Sequence, residues 1–111
     1  MVKVVYNACY GGFGLSRKAT ERLAQLGVEE AEQALKNFDE SPSVFGFSFR
    51  PYYIPRHDAR LVQVVEEFRE EASASFGDLQ VAEIEGNKYI VDEYDGNESV
   101  QTPEDIEWIV V

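Results

Sequence analysis

The feature that most narrows the folding options is a change of hydrophobic period across a glycine cluster near the amino terminus. Val2 to Tyr6 is β-branched and apolar, the pattern of a buried strand. Tyr10-Gly11-Gly12-Phe13-Gly14 interrupts it. From Leu15 the apolar residues Leu15, Ala19, Leu23 and Leu26 fall at helical spacing, with Ser16 placed as N-cap and Gly27 as the residue just past the end. The spacing predicts strand, glycine turn and helix in direct succession.

The rest of the chain continues in short elements. A second helix is expected over Glu29–Phe38, with Val28, Ala31, Leu35 and Phe38 on one face. Glu29, Glu30 and Glu32 suit the positive end of its dipole. Asp39-Glu40-Ser41-Pro42 ends it. Phe45, Phe47 and Phe49 then alternate with Gly46, Ser48 and Arg50, which predicts a strand with one aromatic face. Pro51 and Pro55 bracket Tyr52-Tyr53-Ile54 as extended chain. Asp58 is placed to cap a third helix, lined by Leu61, Val64, Val65, Phe68 and Ala72 and closed by Gly77. Leu79–Ile84 and Lys88–Tyr94 read as strands about a turn at Glu85-Gly86-Asn87. Asp95-Gly96-Asn97 is a hairpin signal, and Val100 and Glu107–Val111 are further strand candidates. The fold class expected is α+β: one domain over residues 1–111, about three helices packed on a largely antiparallel β-sheet. Too few βαβ units are present for a doubly wound fold.

Composition bounds the function. In 111 residues, 44% hydrophobic and 13% aromatic content is too rich for a disordered chain and sufficient for one core. Cys9 is the only cysteine, so no intramolecular disulfide forms. Met1 to Val5 lacks the pattern of a secretory signal, and no apolar run approaches the ~20 residues of a membrane span. A cytoplasmic location away from membranes is expected. The formal charge of −11 argues against broad binding to nucleic acid or anionic lipid, both of which need a basic face. The charge is unevenly spread. Lys3, Arg17, Lys18 and Arg22 face only Glu21 in residues 1–27, whereas acids far outnumber Arg69 and Lys88 after residue 65.

Two clusters carry chemistry. In the first, Gly11, Gly12 and Gly14 precede Ser16 at a strand-to-helix junction, where backbone N–H groups can face an anion such as phosphate. Arg17, Lys18 and Arg22 add charge nearby. The spacing matches neither a P-loop nor a dinucleotide fingerprint, and the same glycines equally serve a tight turn. The second is Arg56-His57-Asp58. His57 is the sole histidine and a possible general base, Arg56 can hold an anionic group, and Asp58 can orient His57 or simply cap the helix. Cys9, His57 and Asp58 are the weak catalytic candidates; a Cys9–His57 pair would supply nucleophile and base. One Cys and one His do not make a zinc site. The acidic turn at residues 92–98 fails the calcium-loop spacing, leaving only Glu93 and Asp95 as a loose magnesium pair. Neither metal nor cofactor is expected. Trp108 reads as a packing residue.

Three pieces together carry a resemblance: Val4-Val5-Tyr6-Asn7-Ala8-Cys9-Tyr10-Gly11-Gly12-Phe13-Gly14-Leu15-Ser16, then Ile54-Pro55-Arg56-His57-Asp58 with Leu61-Val62-Gln63-Val64-Val65-Glu66-Glu67, then Asp92-Glu93-Tyr94-Asp95-Gly96. In this order the chain resembles a family of small uncharacterised proteins encoded by tailed bacteriophages and large DNA viruses. Gly27 to Phe49 lies outside the resemblance, and Phe68-Arg69 departs from a Leu-Gly at the end of the middle piece. The resemblance implies a viral or prophage context and no particular chemistry.

Two functions remain open. One is a binding module for a small anionic, phosphorylated ligand at Gly11, Gly12, Gly14 and Ser16, with Arg17, Arg56 and His57 adding charge. The other is an acidic interaction factor, or DNA mimic, that engages a host or viral protein and uses the glycine loop only as structure. Both are binding functions, and the residues favour binding over catalysis.

Overall fold

The computed structural model describes residues 1–75, 77–105 and 109–111. Its elements are β1 (Val2–Asn7), α1 (Arg17–Gln25), α2 (Glu29–Glu40), α3 (Ala59–Phe68), β2 (Leu79–Ile84), β3 (Ile90–Tyr94) and β4 (Asn97–Gln101). Short 3-10 turns cover Arg69–Ala72 and Pro103–Asp105. The class is α+β, with three helices and antiparallel strand pairing as expected. The strands are divided between two sheets, β1–β2 and β3–β4.

β1 pairs with β2 so that Val5 faces Val81 and Asn7 faces Leu79. Alternation turns the odd positions of β1 toward the helices. Val5 enters the core, and Lys3 reaches Glu66 on α3 at 2.9 Å. α3 lies across both strands and presents Leu61, Val64 and Val65, while α1 packs on α2 and α3 through Ala19 and Leu23. The expected caps are in place. Ser16 Oγ accepts from Ala19 N–H, and the Asp58 carboxylate accepts from the N–H groups of Arg60 and Leu61. No helix among the described residues is long and apolar enough to cross a membrane.

Three local expectations are corrected. First, α3 stops at Phe68 rather than near Gly77, because Arg69 takes a left-handed φ of 52° and a 3-10 turn follows. That turn drops Ala72 into the core and frees the next residues to pair with the glycine loop. Ser16 N–H donates to the Ala72 carbonyl at 2.8 Å, and Ala74 N–H donates to the Gly14 carbonyl at 2.9 Å. On the opposite edge, Leu15 and Phe49 exchange both backbone bonds, at 2.8 and 3.1 Å. Leu15 is thus the middle of a three-ply ladder one residue wide, and its side chain is fully buried.

Second, Phe45, Phe47 and Phe49 do not form a strand. Only Phe49 pairs; Phe47 meets Phe38 edge to face, and Phe45 is left in solvent by a turn at residues 43–46. Third, Ile109–Val111 are exposed and not in a strand. Glu107 and Trp108, on which the rest of that expectation falls, lie outside the described residues.

The second hairpin is built as its sequence demands. Asp95 and Gly96 have φ of 53° and 87°, the paired positive angles of a type I′ turn. Gly96 is also pressed onto the glycine loop: a Cβ there would lie 2.7 Å from the Tyr10 carbonyl oxygen and 2.8 Å from Gly12 N. Gly12 has the same φ of 87°, but a Cβ on it would point into open space. The two glycines therefore separate two costs. Gly12→Ala should cost about 1–2 kcal/mol from φ alone, and Gly96→Ala about 2–4 kcal/mol once overlap with backbone is added. Urea unfolding of the two variants measures the difference; equal losses would contradict the close contact.

Candidate functional site

The glycine loop, the Arg56 segment and the β3–β4 hairpin meet around the end of β1. Asn7 is fully buried and uses its whole side chain. Its Nδ2 donates to the carbonyls of Cys9 and Gly96, each at 2.8 Å, while its Oδ1 accepts from Asp78 N–H at 2.8 Å. The Asn7 backbone N–H points the other way and donates to Glu98 Oε1 at 2.8 Å. One residue thereby ties the glycine loop, the β3–β4 turn and the start of β2 together.

Glu98 is the centre of this junction. Its side chain is only 2% exposed, and Arg56 grips both carboxylate oxygens, Nη1 on Oε1 at 2.6 Å and Nη2 on Oε2 at 2.9 Å. Arg56 is itself fixed on two sides. Its carbonyl accepts from Val5 N–H at 2.8 Å, and its guanidinium carbon lies 3.9 Å from the centroid of the Phe13 ring. A planar, bidentate, ring-stacked guanidinium is a role that lysine cannot fill. Burial alone would push the Glu98 carboxyl up, but the hydrogen bonds from Arg56 and Asn7 and the charges of Arg56 and Arg50 outweigh it and hold the group below the usual glutamate range.

The glycine loop forms a separate feature on the far side of Phe13. Gly11, Gly12, Phe13 and Gly14 wall a cavity of about 70 Å³ with Phe45, Phe47, Ser48, Ala74, Ser75 and Gly77. Among the described residues, Gly12 closes a turn over Tyr10 and Gly11, while the backbone N–H groups of Gly11, Phe13 and Gly14 make no backbone hydrogen bond. Gly14 has no room for a side chain, since a Cβ would collide with Ser48 and approach the Ala74 Cβ to 3.2 Å.

The cations expected to serve this loop are differently engaged. Arg17 forms a bidentate pair with Asp39 at 2.8 and 3.1 Å and lies against Phe47, a cavity wall. Lys18 pairs with Glu71 at 2.7 Å and Arg22 with Glu67 at 3.2 Å. Arg56 is committed to Glu98, while Ser16 Oγ donates to the Glu71 carbonyl at 2.6 Å. Arg50 was not singled out by sequence. It makes no ion pair among the described residues, yet its charge acts on Glu98. Its place next to Phe49 is set by the Leu15–Phe49 pairing, for which the sequence carries no local signal.

The loop and the Arg56-His57-Asp58 cluster do not line one pocket. His57 lies on an open groove with Val2, Lys3, Val62 and Glu66, and its Nδ1 shares a 2.7 Å hydrogen bond with the Tyr89 hydroxyl. Burial pushes the Tyr89 hydroxyl up, against the opposing charge of Arg56. Asp58 is occupied as a helix cap. Its Arg60 partner, helped by the Arg60 and Leu61 N–H groups, holds it below the usual carboxylate range despite partial burial. The Cys9 sulfur lies 3.7 Å from Asn7 Oδ1, beyond the end of β1 opposite to Val2 and His57. About 16 Å of strand separates Val2 from Asn7 at ~3.3 Å per residue. Among the described residues no group of three or more His, Cys, Asp or Glu side chains converges as metal ligands do.

Comparison of the chain with models of protein families, with curated proteins and with solved structures gives no match.

The Glu98 environment sets a pH dependence. Because its folded pKa lies below the unfolded one, the unfolded chain binds the extra proton and stability rises with pH between the two values. This contribution is complete above the unfolded value of ~4.3 and is lost as pH falls through the lower folded value. Glu98→Gln should cost about 3–5 kcal/mol at pH 7, the penalty for stranding a buried guanidinium. Denaturant melts at several pH values should show the gap from the unaltered protein narrowing below pH ~4; a constant gap would contradict the assignment.

Proposed function

We propose that the protein is a binding module for a small anionic, phosphoryl-bearing ligand held at the Gly11–Gly14 loop. The observation that carries this reading is the set of Gly11, Phe13 and Gly14 backbone N–H groups that make no backbone hydrogen bond among the described residues, in residues that wall a cavity of about 70 Å³. Successive N–H donors in a glycine turn are a recurrent way of holding phosphate oxygens. The hydroxyls of Ser48 and Ser75, both on the cavity wall, complete the polar lining. Arg17 is the cation best placed to join. Its Asp39 pair is exposed, and exposed pairs are worth ~0–1 kcal/mol, so an incoming anion opens it cheaply. Arg56 then acts behind the loop, backing Phe13 instead of touching the ligand. In a viral or prophage setting such a module would sequester a host nucleotide or signalling phosphate.

A second reading has its own observation. β3 is paired only to β4 among the described residues, and Asp92, Glu93, Tyr94 and Asp95 on this hairpin are exposed. That acidic arm supports an interaction factor that engages a basic protein surface. Reversing Asp92 and Glu93 to Lys should then abolish partner capture from host lysate while leaving phosphate binding intact.

Thermal unfolding in inorganic phosphate tests the first reading. At ten times Kd, binding adds about 1.4 kcal/mol, or roughly 6 °C for a domain of this size. The shift should saturate, shrink in a Ser48→Ala/Ser75→Ala variant and vanish in folded Gly12→Val. A Tm that responds to phosphate no more than to chloride at equal ionic strength overturns it.

A further inference from the structure

Resting on the phosphoryl reading of the Gly11–Gly14 loop, we infer that the ligand is a nucleoside monophosphate whose base stacks on Phe45. The cavity is small, about 70 Å³. It seats one phosphoryl group, and everything else in the ligand must lie outside it. What waits outside is Phe45. This ring lines the cavity yet is 87% exposed, whereas its neighbour Phe47 is held edge to face by Phe38 and flanked by Arg17.

The exposure of Phe45 is built by the backbone. Gly46 N–H donates to the Ser43 carbonyl and Phe45 N–H to Ser43 Oγ, both at 3.2 Å. A hydrogen-bonded turn therefore holds a phenyl face in water at the rim of a phosphate-sized hollow. A flat aromatic ring esterified through a short sugar to one phosphate matches that layout. Base–aromatic stacking is tolerant of base identity, so the surface selects the class and not one base. Charge selects the phosphate number. The chain carries a formal −11, and Asp39 and Glu71 flank the start of α1 through Arg17 and Lys18. A di- or triphosphate would place further negative charge against these carboxylates with one cavity to receive it.

The test uses the full chain and calorimetric titration with inorganic phosphate, ribose 5-phosphate, AMP and UMP. Both nucleotides should bind roughly 5- to 100-fold more tightly than ribose 5-phosphate, the range that stacking on one aromatic ring supplies. Phe45→Ala, a change at an exposed position, should bring AMP and UMP down to the ribose 5-phosphate level and leave inorganic phosphate unchanged. Equal affinity for ribose 5-phosphate and the nucleotides, or nucleotide binding insensitive to Phe45→Ala, overturns the inference while the phosphoryl site stands. Failure of all four probes to bind overturns the phosphoryl site and this inference together.

Discussion

The buried Arg56–Glu98 pair is the contact on which the arrangement of the remaining parts depends. It joins residues 42 positions apart, and the Asn7 N–H adds a link 91 positions long. Without it the β3–β4 hairpin would keep few reasons to lie against β1, since the two sheets share no strand pairing. Taking two charges out of water is costly, and attraction recovers that cost only when geometry is good and spare lone pairs are filled. Both conditions hold: the pair is bidentate, Asn7 fills a further site on Glu98, and Phe13 covers the guanidinium face. The pair gives the junction a single geometry. An apolar replacement of similar volume could match its stability but would not fix the register of the hairpin against the loop.

This arrangement changes what the conspicuous residues mean. Arg56, Asn7, Gly96 and Phe13 resemble functional residues in their chemistry, yet in the fold they hold the back of the glycine loop. The same loop walls the small cavity, with Gly11 exposed and Phe13 and Gly14 buried. Positioning residues and cavity-lining residues are thus neighbours in sequence, and Phe13 is both. Each basic side chain near α1 has its carboxylate, so in the proposed binding mode backbone dipoles, rather than free cations, would meet the anion.

Much of the secondary structure was legible because it rests on local signals. Ser16 and Asp58 cap where short polar side chains should, and Asp95-Gly96 forms the turn that its positive φ angles require. The misreadings share one physical cause, which is long-range pairing. Arg69 ends α3 because Ala72–Ala74 are drawn to Gly14–Ser16, a demand that no residue near Gly77 announces. Phe45 leaves the aromatic stripe because only Phe49 finds a partner in Leu15. At the site, the glycines and Arg56 stood out by type and spacing. Glu98 looked like one acid among many, and its burial depends on an arginine brought from another part of the chain. Arg50 and Ser48 were hidden for the same reason.

The claim that the glycine loop holds a phosphoryl group through its backbone is tested most directly by amide chemical shifts. Titration of uniformly 15N-labelled protein with inorganic phosphate at constant ionic strength should move the Gly11, Phe13 and Gly14 signals downfield along one saturable curve. The amides of β1, α2 and the β3–β4 hairpin should stay still. Unmoved loop amides, or shifts spread over the basic side-chain surface without saturation, would contradict the account.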